Sequence, residues 1–258
     1  GCVAPGPTRT TLTGELFFPS PPVSTRMPSE SRLSTRLRFG VAGLLAAVGG
    51  AASLLVAPEL PEQMATRWNA AGEPTETLSR TLGMWLVPGL AAGLIGLFAL
   101  LPRIDPLGEN IAAFRVHYDR FVVVVTAFLV ALHLAVLGFN LGYAVDVTTL
   151  AVAGGAALFY YIGTLLPHVE PNWFLGIRTP WTLSDDAVWD RTHALAGRLF
   201  KLSAVIAGVG LFFGAYAVYF LVAPALATAA VTAAYSYVLY ARGTREGDDG
   251  DAAARTAK

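Results

Sequence analysis

Residues 202–240 read LSAVIAGVGLFFGAYAVYFLVAPALATAAVTAAYSYVLY, and none of them is charged. A helix rises about 1.5 Å per residue, so about 20 apolar residues cross the hydrocarbon core of a bilayer. The stretch is too long for one crossing. It predicts two helices in a tight hairpin, with Pro224 near the turn. Toward the N-terminus lie four more runs of crossing length: 39–57, 82–101, 121–139 (interrupted only by His133) and 148–166. Backbone amides in lipid must bond within their own segment, which leaves helices as the form of these runs. The expectation is an all-α, polytopic transmembrane helical bundle of about six spans in the plasma membrane.

Composition points the same way. Apolar types make up 54% of the 258 residues and charged types 14%, against about a quarter charged in soluble domains. The mean hydropathy is +0.54. Zero formal net charge offers no bulk attraction to nucleic acid, so none is expected as a direct partner. Cys2 is the single cysteine, which excludes an internal disulfide and a thiolate-built metal centre. No metal and no other cofactor is expected.

Arginine and lysine set the orientation, because cytoplasmic loops retain them. With 1–38 inside, sixteen of the eighteen basic residues fall on the N-terminal segment, the loops after the second and fourth spans, and the tail. Only Arg67 and Arg80 fall outside, which predicts both termini in the cytoplasm. The expected organisation has four parts: a disordered or cytoplasmic segment 1–38; a two-span membrane domain 39–120 with outer loop 58–81; a four-span domain 121–240 with cytoplasmic loop 167–201; and a disordered tail 241–258. Residues 1–26, rich in Pro, Thr and Ser, read as an extension ahead of a native start at Met27. No internal repeat is present, which argues against an inverted-repeat transporter.

The most informative loop is 171–200, too polar to span and too aromatic for an ordinary connector. Gly176 and Pro180 punctuate an irregular stretch, and Thr182 or Ser184 is placed to cap a helix that begins with Asp185 and Asp186. Trp189, Thr192, His193, Ala196 and Phe200 then share one face of a helix lying along the inner membrane surface. Two roles are open for Trp173, Trp181 and Trp189. Indoles favour the headgroup layer, so they can be interfacial anchors. Alternatively Arg178 sits between Trp173 and Trp181 by cation–π contact and offers its fork to a carboxylate or lipid phosphate. His168, Glu170 and His193 match no common metal-ligand spacing.

His133, near the middle of the third span, has no intramembrane carboxylate to pair with. It is either structural glue bonded to a neighbouring helix or a group that handles ligand or protons. The 102–120 loop reads as a rigid turn with an Arg103–Asp105 charge pair. Outside, Trp68, Asn69, Gly72 and Pro74 form a compact turn beside Glu73, with Trp68 either exposed to an extracellular peptide or seated in the interfacial belt. Hydrolase, metalloprotease and phosphate-loop motifs are absent, so an enzyme is not expected.

Asn172-Trp173-Phe174-x-Gly176-Ile177-Arg178-Thr179-Pro180-Trp181-Thr182-Leu183, followed by Val188-Trp189 and Thr192-His193, resembles the SdpI family of bacteriocin-immunity membrane proteins. Arg103-x-Asp105-Pro106 and Trp68-Asn69-x-x-Gly72-Glu73-Pro74 resemble its associated N-terminal membrane domain of unknown function. Arg67 stands where that pattern has histidine and Thr75 where it has aspartate, which weakens any metal or proton role for the outer loop. The resemblance, over roughly 40–240, implies a non-enzymatic protein that protects a cell from a secreted peptide toxin. Some family members also hold a transcriptional repressor at the membrane. On that reading the lipid bilayer, a secreted peptide toxin and a cytoplasmic repressor are the partners. Asn172, Trp173, Gly176, Arg178, Thr179, Pro180, Trp181, Trp189 and His193 form the cytoplasmic binding platform, and Trp68, Asn69 and Glu73 meet the peptide. The competing reading is a small-solute transporter or permease with His133 lining the path.

Overall fold

The computed structural model describes residues 29–256, so the readings of 1–28 lie outside the described residues. Six long helices carry the fold: α1 (Ser29–Val56), α2 (Arg80–Ile104), α4 (Arg115–Asn140), α5 (Val147–Leu165), α7 (Asp186–Gly210) and α8 (Ala217–Thr256). Two short ones, α3 (Gly108–Ala113) and α6 (Pro180–Ser184), sit in loops at one end of the bundle. Among the described residues five helical stretches are long and apolar enough to cross a membrane, the last being Asp186–Thr244. That stretch contains both α7 and α8. The chain reverses inside it at Phe213 and Gly214, and Gly214 has φ +55°. The architecture is an all-α polytopic bundle, and the chain is a multi-pass membrane protein.

Three expectations are corrected. The last hairpin turns at Gly214, not at Pro224, because the reversal needs a positive φ that glycine adopts without penalty. Pro224 lies inside α8, where neighbouring helices can offset its missing amide. The first helix is already formed at Ser29, the first described residue, about ten residues before the apolar run. The tail is helical in backbone to Thr256, and Ala252, Ala253 and Ala254 are strong helix formers.

α4 is central, packing against α1, α2 and α5; α5 packs along α7, and α7 along α8. The α5–α7 contact is close because glycine faces glycine. A Cβ on Gly163 would lie 2.6 Å from the Gly197 carbonyl oxygen and 2.9 Å from the Lys201 nitrogen. Small residues let helix backbones approach in lipid, where van der Waals contact replaces the hydrophobic drive. One core cluster, around Ile111, Phe114, Tyr118 and Trp189, lies at the end rich in arginine. The other, around Leu60, Met64, Met84 and Val136, lies at the opposite end.

That opposite end carries the only strands among the described residues, β1 (Gln63–Trp68) and β2 (Pro74–Ser79), paired antiparallel. Asn140, at the end of α4, anchors β1 as a neighbouring strand would. Its Oδ1 accepts from Ala65 N at 2.7 Å, and its Nδ2 donates to Ala65 O at 2.9 Å. The prediction from the glycine contact is that Gly163→Leu forces α5 from α7 and costs about 1–3 kcal/mol. Thermal unfolding in detergent should show a clear fall in midpoint, whereas Gly89→Leu, with open space at its Cβ, should leave it near wild type.

Candidate functional site

The loop between α5 and α7 folds on its own side chains before it meets anything else. Asn172 is its keystone, 1% exposed. Its Oδ1 accepts from Phe174 N (2.9 Å) and Leu175 N (2.6 Å), while Nδ2 donates to Glu170 O (2.9 Å) and Leu175 O (3.1 Å). All the polar capacity of the amide goes into turning the backbone. Gly176 follows with φ +104°, and a Cβ there would overlap Nε2 of His193. His193 is buried and bonded at both nitrogens. Ile177 N donates to Nε2 at 2.9 Å, and Nδ1 lies 2.8 Å from Trp189 O. That pairing holds the neutral ring with its proton on Nδ1. The Trp189 indole stacks on His193 at 4.1 Å and donates from Nε1 to Val169 O at 2.7 Å.

A capping box closes the next turn. Thr179 and Thr182 each accept the other's backbone N–H, and Pro180 occupies the first helical position of α6. Thr179 Oγ1 also lies 3.0 Å from Ser236 Oγ of α8, and Trp181 packs on Tyr237 at 5.1 Å. The cap of α7 is Asp185, accepting from Val188 N, rather than Thr182 or Ser184, which α6 uses. Trp189, Thr192, His193 and Ala196 share one buried face as expected. The helix does not lie along the surface, however: α7 runs unbroken into the bundle, since Gly197 lets it dock directly on α5.

The N-terminal half clamps this loop. Asp105 is buried; Oδ1 accepts from Leu107 N at 2.8 Å and Oδ2 from Trp173 N at 3.0 Å. Asn110 donates to Pro171 O at 2.7 Å. The expected Arg103–Asp105 pair is therefore not made: Arg103 donates to Ala99 O in its own helix. Asp105 is worth more where two amides would otherwise lack an acceptor.

What remains free is a cleft of about 200 Å³ between Leu107, Trp173, Arg178, Leu183 and Asp186. Trp173 is 55% exposed, and Arg178 is exposed as well. Among the described residues Arg178 makes no cation–π contact; the stacked guanidinium is Arg115, over Phe39 and Tyr118. The cleft thus offers an apolar wall, one cation and one carboxylate, a combination suited to a polar-apolar peptide face. Of the platform candidates, Trp173, Gly176, Arg178 and Pro180 are exposed, while Asn172, Thr179, Trp181, Trp189 and His193 build the frame.

His168, Glu170 and His193 do not converge. His168 stacks on His117 at 4.0 Å, and among the described residues no three His, Cys, Asp or Glu side chains form a metal-sized group. His133 is 1% exposed, with Nε2 at 2.7 Å from Ser53 Oγ. Ser53 donates to Met84 O at 3.0 Å, so the chain joins α4, α1 and α2. At the hairpin, Trp68 is half-buried edge-on against Phe139 at 5.3 Å, which corrects the exposed reading. Asn69 Oδ1 accepts from Ala71 N and Glu73 N, and its Nδ2 donates to Glu73 Oε2 at 2.9 Å, so both residues shape the turn. Arg67 pairs with Glu76. Asp146 caps α5, and the hydroxyl and amide of Thr149 hold its carboxyl below the usual carboxylate range.

Sequence reasoning missed Asp119, which is fully buried. Thr35 Oγ1 donates to it at 2.5 Å, Arg115 Nε lies 2.7 Å from its Oδ1, and Arg38 lies 3.8 Å away. The Arg115-x-x-x-Asp119 spacing at the head of a span was the available signal.

Asp105→Ala should cost about 1–3 kcal/mol by orphaning its amides. Hydrogen exchange at Trp173 N should accelerate markedly, with Asp105→Asn, which keeps one carbonyl oxygen, in between.

The model of the SdpI/YfhL protein family matches residues 168–236, which includes this loop. A second model, a domain of unknown function (DUF1648), matches residues 44–92. The chain is 26% identical over 190 residues to the Immunity protein SdpI of Bacillus subtilis (strain 168), an alignment covering 73% of this chain and 88% of that one. No solved structure matches the chain.

Proposed function

From a chain that carries an SdpI/YfhL-type domain behind a DUF1648 segment, we propose an integral membrane immunity protein. It protects its cell against a secreted antimicrobial peptide and holds a transcriptional repressor at the membrane. The carrying observation is that the similarity to an immunity protein runs through both membrane halves. Asp105–Trp173 and Asn110–Pro171 tie those halves into one unit. The protein acts by binding and not by catalysis.

The arginine-rich end faces the cytoplasm and the hairpin faces outward. β2 has one neighbour, β1, and is exposed along most of its length, so an extended peptide can pair with its outer edge. Trp68, Asn69 and Glu73 set the shape of that edge. Glu59, Glu62, Glu73 and Glu76 against Arg67 and Arg80 make the segment acidic, which favours a cationic peptide. Inside, the cleft beside Trp173 and Arg178 receives the repressor. A transport path would need His133 open to water, whereas it is sealed against Ser53.

Expression in a sensitive host should raise survival against a secreted cationic peptide. Glu62→Lys with Glu73→Lys should raise the protective expression level by roughly tenfold, the scale of about 1.4 kcal/mol. No gain in survival with any such peptide would sink the immunity reading. Trp173→Ala with Arg178→Ala should abolish co-purification of a transcriptional repressor that the wild-type protein captures from its native cell. Intact capture and intact protection in that variant would move the platform elsewhere.

A further inference from the structure

A second groove opens at the arginine-rich end, on the side of the bundle that faces lipid. It measures about 310 Å³ and lies between α1 and α4, with the ring of Tyr161 from α5 at one side. Its walls are apolar. Leu37 and Val41, one turn apart, come from α1; Val123 and Val124 come from α4. Leu37 and Val41 are exposed, as side chains that meet acyl chains are. The Tyr161 hydroxyl is already committed, donating to His117 O at 2.9 Å, so the ring closes the groove as an apolar surface.

Arg38 and Arg120 line the same groove through the apolar stems of their side chains, and among the described residues no carboxylate lines it. The acid that Arg38 meets is Asp119, which is fully buried and bonded first to Thr35 and to Arg115. Arg38 reaches it only at 3.8 Å, with about a quarter of its side chain still exposed. One carboxylate therefore stands against Arg38, Arg115 and Arg120, a surplus of two positive charges. Cations at the border of the hydrocarbon that outnumber the carboxylate beside them are costly alone. They match an anion whose other part is apolar. Arginine forks suit phosphate oxygens bidentately, and basic pockets between helices suit anionic headgroups.

We propose that this groove is a binding site for one anionic phospholipid, with its phosphate held by Arg38 and Arg120 and an acyl chain along Leu37, Val41, Val123 and Val124. The site is separate from the Trp173–Arg178 cleft and does not depend on the immunity reading.

Native mass spectrometry of the full-length protein in mild detergent tests it with phosphatidylglycerol, phosphatidylcholine and inorganic phosphate. Phosphatidylglycerol should be retained over phosphatidylcholine by at least about tenfold, and Arg120→Gln should weaken its retention about fivefold, the weight of one arginine near an anionic surface. Val124→Trp, which fills the groove without changing charge, should also weaken retention, and Arg178→Gln should not. Equal retention of the two lipids, unchanged binding in both Arg120→Gln and Val124→Trp, or displacement of the lipid by inorganic phosphate at equal concentration would each overturn the proposal. So would loss of the preference in Arg178→Gln alone.

Discussion

The carboxylate of Asp105 accepts one amide from its own turn, Leu107 N, and one from across the molecule, Trp173 N. Everything at the arginine-rich end depends on that double acceptance. It stops α2, orients α3 so that Asn110 reaches Pro171, and fixes the start of the loop that Asn172 then folds. A buried carboxylate is costly unless its oxygens are satisfied by donors. Here the donors come from both halves of the chain, so the cost of burial is offset only when the halves are docked.

The same rule governs the interior of the bundle, where no water can stand in for a missing partner. Ser53 connects His133 to Met84 O. Ser203 meets Thr228 across the α7–α8 pair, and Thr126 and Thr232 return their hydroxyls to their own helices. Asn140 spends its amide on Ala65 and Val136. These contacts leave few polar groups to line a path through the membrane. They place the available chemistry at the two ends.

The ends differ in kind. The hairpin end is a small acidic ribbon seated on Asn140 and Phe139, with a free edge at β2. The opposite end is a folded loop with an internal frame, and Trp173, Arg178 and Leu183 line the cleft on its outer side. Gly176 allows that frame because only a residue without a Cβ fits against His193.

Charge-free runs and arginine placement were enough to read the crossings, the all-helical class and the polar loops from sequence, because exclusion of charge from hydrocarbon is a property of each segment by itself. Loop punctuation and helical spacing in 171–200 likewise marked out Gly176 and His193, and the family resemblance marked out Asn172. Which partner each polar group takes was decided only by the tertiary structure. Asp105 answers Trp173 rather than Arg103, His133 answers Ser53, and Asp119 answers Thr35. Those partners stand 68 to 84 positions apart in the chain. Short-range spacing cannot report them, since they meet only after helices have packed. The turn at Gly214 belongs with them: both it and Pro224 are plausible breakers, and the packing of α7 on α8 selects between them.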